Sequence, residues 1–247
     1  MSDSRPTVVL VHGAFADASS FARLVPILLA DGIPVRVPPV ANRSIAGDAA
    51  YIASVIRQVK GPVVLVGHSY GGAVITVAGM EANVKALVYL AGFALEQGES
   101  VGELQGRFTD PPLAAALVST QFPIAAFSEP GIEVSVDIDK FRAIFAADVQ
   151  EELANVLAVS QRPLAAVAFG EPASAAAWKT RPAWGSVAKA DQSINPDVER
   201  FGYKRAGMTT IEIDSSHLVM LSHPEEVADL IRQAVNAVSA EPTLAPS

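Results

Sequence analysis

The sequence predicts an α/β fold with a mostly parallel, twisted sheet and helices on both of its faces. Short β-branched runs alternate with longer segments of helical periodicity, as in sheets whose strands are buried on both faces and covered by helices. The chain has 247 residues, of which 50% are hydrophobic and 18% charged, so it supports a large core and is not a disordered chain. A glycine-rich turn that joins a buried strand to a helix fits the same architecture.

Six segments rich in β-branched and aliphatic residues are the strand candidates, because such residues suit a pleated, buried surface. In chain order they are Thr7–Val11, 34–37, 63–66, 86–90, 184–188 and 210–213. Five segments between or after them have apolar residues at helical spacing. These helix candidates are 21–30, 45–59, 71–80, 197–206 and 225–238.

The stretch 93–179 interrupts this alternation. It has no strong strand signal and consists of Ala-, Leu- and Phe-rich helical segments separated by prolines. We predict that it is a helical cap inserted between two parts of the core, 1–92 and 180–247. A segment that leaves the carboxyl end of a sheet strand lies over the crevice where α/β folds bind ligands, so this cap would shape a pocket. The alternative is a separate small domain.

The turn Gly67-His68-Ser69-Tyr70-Gly71-Gly72 carries the clearest chemical signal. It follows the apolar run 62–66 and precedes a helix, which is the arrangement of a nucleophile elbow. Glycines on both sides of the serine remove Cβ atoms that would collide with the neighbouring strand and helix. Ser69 is therefore the candidate nucleophile, close to a helix N-terminus that favours negative charge. For the motif alone, a glycine-rich turn without chemistry is the alternative.

A serine hydroxyl needs a general base, and the base needs an acid that orients it. His217 follows the last strand candidate and is the predicted base, although a lone loop histidine is more often a surface or capping residue. Asp191 lies between serine and histidine in chain order, after a strand candidate, and is the predicted acid. Asp214, three residues before His217, is its rival.

The first strand candidate ends in His12-Gly13-Ala14-Phe15, a turn that can direct a backbone N–H toward a developing oxyanion. Ala14 and Tyr70 are the predicted oxyanion donors through their backbone amides, and a plain turn is the alternative. Candidates for the lining of a substrate pocket adjoin these turns and are Phe15, Phe93 and Leu218.

Charge and motif content exclude several classes of partner. The net charge of −8, with no Lys/Arg cluster to offset it, disfavours nucleic acid and anionic membrane surfaces. No apolar run approaches the roughly 18 residues that span a bilayer. The chain has no cysteine and no metal or nucleotide motif, so neither a metal nor a cofactor is predicted. Residues 1–6 are polar and contain no export signal, which predicts a cytoplasmic location if no leader was removed.

Together, these motifs resemble the α/β-hydrolase superfamily over nearly the whole chain. Val11-His12-Gly13-Ala14, the turn around Ser69 and the segment 191–196 are similar to the small-esterase branch that includes plant methylesterases and hydroxynitrile lyases. The resemblance implies the α/β-hydrolase fold with an inserted cap. It also implies that Ser69, His217 and Asp191 form a catalytic triad and that Ala14 and Tyr70 form the oxyanion hole.

The predicted function is hydrolysis of a small, largely apolar carboxylic ester through an acyl-enzyme. The same residues would support perhydrolase or acyltransferase activity if peroxide or an alcohol replaced water. A hydroxynitrile lyase is disfavoured, because the plant lyases have a threonine and a lysine where this chain has Gly13 and Leu218. A non-catalytic sensor of a small apolar ligand is a further alternative.

Overall fold

The computed structural model describes residues 5–125 and 127–240. In this part of the chain, one sheet has six strands and another has three. The strands are β1 (Thr7–Val11), β2 (Val35–Arg36), β3 (Val63–His68), β4 (Val84–Leu90), β5 (Leu117–Phe122), β6 (Gly131–Val136), β7 (Leu164–Ala165), β8 (Ala183–Ala188) and β9 (Thr209–Ile213). The helices are α1 (Leu24–Ala30), α2 (Ile45–Arg57), α3 (Tyr70–Ala78), α4 (Val101–Gln105), α5 (Ile138–Phe145), α6 (Glu151–Val159), α7 (Pro196–Arg205), α8 (Val219–Ser222) and α9 (Pro224–Ala240).

The larger sheet is parallel and has the order β2-β1-β3-β4-β8-β9, with helices around it. Strands β1 and β3 are buried along their whole length, which explains their nearly continuous Val and Leu sequences. All six predicted strands are present, with ends that differ by at most two residues, and the predicted fold class is confirmed. None of the helices within residues 5–125 and 127–240 has the length and apolar character needed to cross a bilayer.

The first predicted helix, 21–30, is shorter in the structure. A 3₁₀ helix occupies Ala18–Phe21, and α1 begins only at Leu24. The 3₁₀ helix is capped by Asp17, whose carboxylate accepts a hydrogen bond from the Ser19 N–H. Asp17 therefore starts a separate 3₁₀ turn, which ends at Phe21 before α1 begins, so the helical periodicity over 21–30 spans two elements.

The prediction that 93–179 is wholly helical is wrong, because this stretch contains the antiparallel sheet β5-β6-β7. Strand β5 has half-exposed or exposed side chains along its length, so it lacks the buried apolar run by which the other strands were recognised. Strand β6 does carry a period-two signal, since Ile132, Val134 and Val136 alternate with Gly, Glu and Ser. The antiparallel pairing between β5 and β6 stabilises strands that have little apolar burial of their own.

Gly71 shows why the turn after β3 requires glycine. A Cβ atom at this position would collide with the Val11 carbonyl oxygen and lie 2.8 Å from the His12 carbonyl oxygen. Both obstacles are backbone atoms at the end of β1, so no side chain can move to make room. Helix α3 can therefore begin this close to β1 only if residue 71 has no side chain.

We expect Gly71→Ala to lower the free energy of unfolding by about 1–3 kcal/mol, the usual cost of forcing an extra carbon into a packed site. Urea denaturation measures this loss. Gly170→Ala is the matched control, because a Cβ at Gly170 meets no atom within 4 Å and its φ of −98° suits alanine. Equal denaturation midpoints for the two variants would contradict the argument.

Candidate active site

Ser69 lies at the junction of β3 and α3 in a strained backbone conformation. Its φ of 54° and ψ of −124° are unusual for a residue with a side chain. Three backbone hydrogen bonds hold the turn: Ser69 N–H donates to Leu90 O (3.1 Å), and Ser69 O accepts from Gly72 N–H (2.9 Å) and Phe93 N–H (3.2 Å). The residue is 7% exposed. The surrounding backbone therefore maintains the strain and fixes the position of the Ser69 hydroxyl.

His217 and Asp191 form a buried pair. The distance between His217 Nδ1 and Asp191 Oδ2 is 2.5 Å, and both side chains are 0% exposed. The second oxygen of Asp191, Oδ1, accepts hydrogen bonds from the N–H groups of Ser193 (2.6 Å) and Ile194 (3.0 Å). Because three donors converge on it, the Asp191 carboxylate is held rigidly and its negative charge is stabilised.

Asp214, the rival acid, lies elsewhere. Its side chain is 83% exposed, and its Oδ2 is 3.9 Å from Lys189 Nζ. Asp214 directly follows β9, and its carboxylate faces solvent. The geometry therefore brings Asp191, and not Asp214, to the imidazole.

The other imidazole nitrogen of His217, Nε2, is buried and has no hydrogen-bond partner among the described residues. With Nδ1 engaged by Asp191, Nε2 is the atom left to exchange a proton with another group. Ser69 and His217 line the same cavity. The structure thus combines a hydroxyl and an unpaired imidazole nitrogen in one cavity.

His68, Phe145 and Ser216 hold the loop that carries His217. His68 Nε2–H donates to the His217 carbonyl oxygen (3.0 Å), and the two imidazole rings lie 4.6 Å apart. Burial lowers the pKa of His68 well below its usual value, so this ring is neutral. The Phe145 ring packs against the His217 ring with its centroid 4.7 Å away, and Ser216 N–H donates to Asp148 (2.9 Å).

His12 shapes the turn after β1. Its Nδ1–H donates to Gly13 O (2.9 Å) and its Nε2 accepts from Val40 N–H (2.9 Å), so both nitrogens are used. Burial lowers the pKa of His12, which agrees with a neutral ring that donates at one nitrogen and accepts at the other. His12 therefore braces the segment that leads into Ala14 and Phe15.

The backbone N–H groups of Ala14 and Tyr70 donate no hydrogen bond to any residue within the described part of the chain. Both residues line the cavity that contains Ser69. The neighbouring Phe15 N–H is already used, because it donates to Arg162 O (2.9 Å). Two free backbone donors therefore border the space next to the hydroxyl.

The Tyr70 side chain anchors the start of α3. Its hydroxyl donates to Asp48 Oδ2 (2.9 Å) on α2, and both residues are buried. Burial raises the pKa of Tyr70 above its usual value and also raises that of Asp48. The phenol is thus neutral and acts as a hydrogen-bond donor. This hydrogen bond fixes the N-terminus of α3, where the backbone N–H of Tyr70 is free.

The cavity around Ser69 has a volume of about 330 Å³ and is mostly apolar. Besides Ser69 and His217, it is lined by Ala14, Phe15, Tyr70, Phe93, Val101, Gly102, Gln105, Gly106, Asp110, Pro111, Leu113, Ala114, Leu117, Phe145, Leu164, Phe169, Ser193 and Ile194. Phe15 and Phe93 are among these lining residues. Leu218 does not line this cavity; it is 1% exposed and belongs to the core, because it starts α8 and turns inward.

Sequence reasoning missed Phe145 and the other wall residues between 101 and 169. Phe145 lies at the end of α5, inside the stretch 93–179, and no motif distinguishes it from other apolar helix residues. Only its packing against His217 reveals its place in the site. In residues 5–125 and 127–240, no group of three or more His, Asp or Glu side chains is arranged to bind a metal ion.

A family model described as alpha/beta hydrolase family matches residues 8–230. The chain belongs to this family. Its predicted resemblance to the superfamily is therefore confirmed. The matched range begins in β1 and ends within α9, so it includes both the sheet and the stretch 93–179.

This α/β hydrolase is similar to known esterases and hydrolases. It is 26% identical over 244 residues to the carbendazim hydrolyzing esterase of Nocardioides sp. (strain SG-4G), covering 90% of this chain and 96% of that protein. Its fold resembles a pyrethroid hydrolase from Sphingobium faniae JZ-2, with a TM-score of 0.75, 21% identity and coverage of 96% and 99%. A methylesterase from Arabidopsis has a TM-score of 0.76, 17% identity and coverage of 94% and 99%. The predicted hydrolase class and esterase branch agree with these relatives.

Proposed function

We propose that the protein is a serine carboxylesterase whose catalytic residues are Ser69, His217 and Asp191. The observation that carries this proposal is the 2.5 Å contact between Asp191 and His217 Nδ1 in the site that Ser69 shares. A buried carboxylate at Nδ1 keeps the proton on that nitrogen, so Nε2 is free to act as a base. The strained turn at Ser69 is the backbone geometry that such a nucleophile requires.

The reaction begins when Ser69 Oγ attacks the ester carbonyl carbon and His217 Nε2 takes the hydroxyl proton. The carbonyl oxygen becomes an oxyanion, which the N–H groups of Ala14 and Tyr70 bind. When the tetrahedral intermediate collapses, the C–O bond to the alcohol breaks, and His217 returns the proton to the departing alkoxide. Water then attacks the acyl-enzyme with the same histidine as base, which releases the acid and restores Ser69.

The cavity walls support the proposed substrate class. Apolar side chains dominate the lining, with Gln105, Asp110 and Ser193 as the polar exceptions beside the reacting residues. A small ester with an apolar acyl or alcohol group would bury its surface there, at a gain of about 25 cal/mol per Å². The names of the relatives, which refer to carbendazim and pyrethroids, support a compact organic substrate.

Residues 93–179 supply the cap of this proposal, between core segments 1–92 and 180–247. Most wall residues of the cavity belong to this stretch, from Phe93 through Leu117 and Phe145 to Phe169. By covering the site, they exclude water from the reacting groups and strengthen the electrostatic stabilisation of the oxyanion. The cytoplasmic location stays a prediction.

The substrate assignment is tested with 4-nitrophenyl esters of graded acyl length. Ala114 lines the cavity, and its neighbour Ala115 does not, although both are exposed residues of one 3₁₀ helix, Pro112–Ala116. We expect Ala114→Phe to shorten the preferred acyl chain by about two methylene groups, with kcat/KM falling roughly fourfold for each group that no longer fits. Ala115→Phe should keep the wild-type profile.

Two outcomes count against the proposal. If Ala114→Phe and wild type prefer the same acyl length, the cavity does not hold an apolar acyl group. If wild type hydrolyses none of the esters, the protein is not a carboxylesterase of this substrate class.

A further inference from the structure

A second carboxyl group lies buried behind the Asp191–His217 pair. Glu199, on α7, is 1% exposed, and its Oε2 accepts a hydrogen bond from the Ala188 N–H at the end of β8 (3.0 Å). Its other oxygen, Oε1, is buried and receives no hydrogen bond from an N–H or O–H donor of the described residues. An ionised carboxylate with a single donor would be poorly compensated at such a position.

Glu199 and Asp191 are linked through Ala188, which donates its N–H to Glu199 Oε2 (3.0 Å) and accepts at its carbonyl oxygen from the Asp191 N–H (3.2 Å). Two ionised carboxylates buried this close together repel each other, which favours a proton on one of them. Asp191 has three donors, namely the N–H groups of Ser193 and Ile194 and the His217 imidazole. Glu199 has one donor. Glu199, with one donor and a second oxygen that receives none from the described residues, is therefore the carboxyl group that is suited to keep a proton.

The other titratable neighbours of Glu199 do not change this assignment. Arg200 is the nearest cation, but it pairs with Asp197 and Glu212 and its side chain is 41% exposed. Tyr203 is a neutral phenol whose oxygen accepts from Gly92 N–H (2.9 Å), because burial raises its pKa well above the usual value. Burial first, and then the charge of Asp191, raise the pKa of Glu199 well above its usual value.

We propose that Glu199 is a neutral carboxylic acid that donates a hydrogen bond to the Asp191 carboxylate and thereby positions it behind His217, an inference that rests on the proposed function. Glu199 does not line the cavity that contains Ser69, so it is a positioning residue. The donated hydrogen bond satisfies the carboxylate without adding a second negative charge. Because a neutral Glu199 carries no charge, the negative charge of Asp191 can stabilise the imidazolium that His217 forms during the reaction.

Glu199→Gln separates this role from that of a charged carboxylate. The amide has the same shape, so its oxygen can accept from Ala188 N–H while its NH₂ group donates to Asp191. We expect kcat/KM at neutral pH to stay within about twofold of wild type and the acidic limb of the pH profile to stay in place. Glu199→Leu removes both hydrogen bonds, and we expect kcat to fall about tenfold.

Stability measured against pH tests the same proton without any substrate. Because the pKa of Glu199 is raised on folding, the folded chain keeps a proton that the unfolded chain releases above about pH 4.5. Stability that depends on this proton is therefore lost as pH rises from that value toward the folded pKa. We expect Glu199→Gln to match wild type in urea midpoint near about pH 4 and to exceed it progressively up to about pH 8.

Glu212→Gln is the matched control. Glu212 is also a glutamate near α7, but its side chain is 42% exposed and forms an ion pair with Arg200. The ion pair lowers the pKa of Glu212, so this variant should show no gain in stability as pH rises. An infrared carbonyl band of a protonated carboxylic acid, present in wild type at neutral pH and missing in Glu199→Gln, would support the proposal directly.

The proposal is overturned if Glu199→Gln shifts the acidic limb of the pH profile downward, or if its stability does not rise relative to wild type with pH. Either result would mean that Glu199 is ionised. Since the urea and infrared measurements need no turnover, failure of the esterase proposal would leave them readable, and the two failures can be distinguished.

Discussion

Replacing Ser69 with alanine is expected to lower kcat for ester hydrolysis by on the order of 10⁴-fold, because the triad acts as a unit and loses its nucleophile. The substitution removes only the hydroxyl and keeps the backbone hydrogen bonds of the turn, which Ser69 N–H and Ser69 O form with Leu90, Gly72 and Phe93. We therefore expect an unchanged thermal midpoint. Turnover of a 4-nitrophenyl ester and a melting curve on the same preparation measure both quantities.

Ser193→Ala is the matched control for this experiment. Ser193 also lines the cavity, but its hydroxyl donates to the Ile144 carbonyl oxygen (3.2 Å) and is not adjacent to an unpaired base. Its removal should change kcat by less than about threefold, the effect of one ordinary hydrogen bond. A fluorophosphonate probe should label wild type and Ser193→Ala but not Ser69→Ala. If Ser69→Ala keeps more than a tenth of wild-type turnover, Ser69 is not the nucleophile. If the fluorophosphonate probe does not label Ser69 in folded wild-type protein, the ligand-sensor alternative is favoured.

Asp191→Asn is expected to lower kcat by on the order of 10⁴-fold with little change in shape, because an amide NH₂ at Nδ1 favours the tautomer with the proton on Nε2. That tautomer cannot accept the proton of Ser69. The 2.5 Å contact between Asp191 and His217 makes this effect direct. Steady-state kinetics across the neutral pH range measure it, and circular dichroism checks that the fold is intact.

Asp214→Asn provides the comparison, since Asp214 is 83% exposed and faces Lys189 at 3.9 Å. An exposed pair of this kind contributes at most about 1 kcal/mol, and we expect kcat to stay within about twofold of wild type. If instead Asp214→Asn abolishes turnover and Asp191→Asn does not, the acid of the proposed mechanism has been misassigned.

The sequence was informative wherever a local pattern had a single structural solution. The Val- and Leu-rich runs of β1 and β3 are buried on both faces, so their composition alone predicts parallel strands. The glycines around Ser69 were also readable, because a close backbone approach leaves no room for a Cβ. Strand β5 could not be predicted from its sequence, because its side chains are half-exposed or exposed and its extended conformation depends on pairing with β6.

At the site, Asp191 was favoured because it follows a strand candidate, and Asp214 was disfavoured because it lies only three residues before His217. The tertiary structure decided the geometry by placing the Asp191 carboxylate at the imidazole and the Asp214 carboxylate in solvent. The packing of Phe145 against His217 and the proximity of Glu199 to Asp191 had no sequence signal, because each pair joins residues from different parts of the fold. Leu218 adjoins His217 in sequence but turns into the core.

The amino-acid sequence by itself determined the order of the strands along the chain, the strained turn and the residue types available for chemistry, since these depend on neighbours within a few positions. Only the tertiary structure decided which distant side chains meet, which are deprived of water and therefore hold or lose protons, and what covers the site. Burial and distance depend on the packing of the whole chain, and no short segment contains that information.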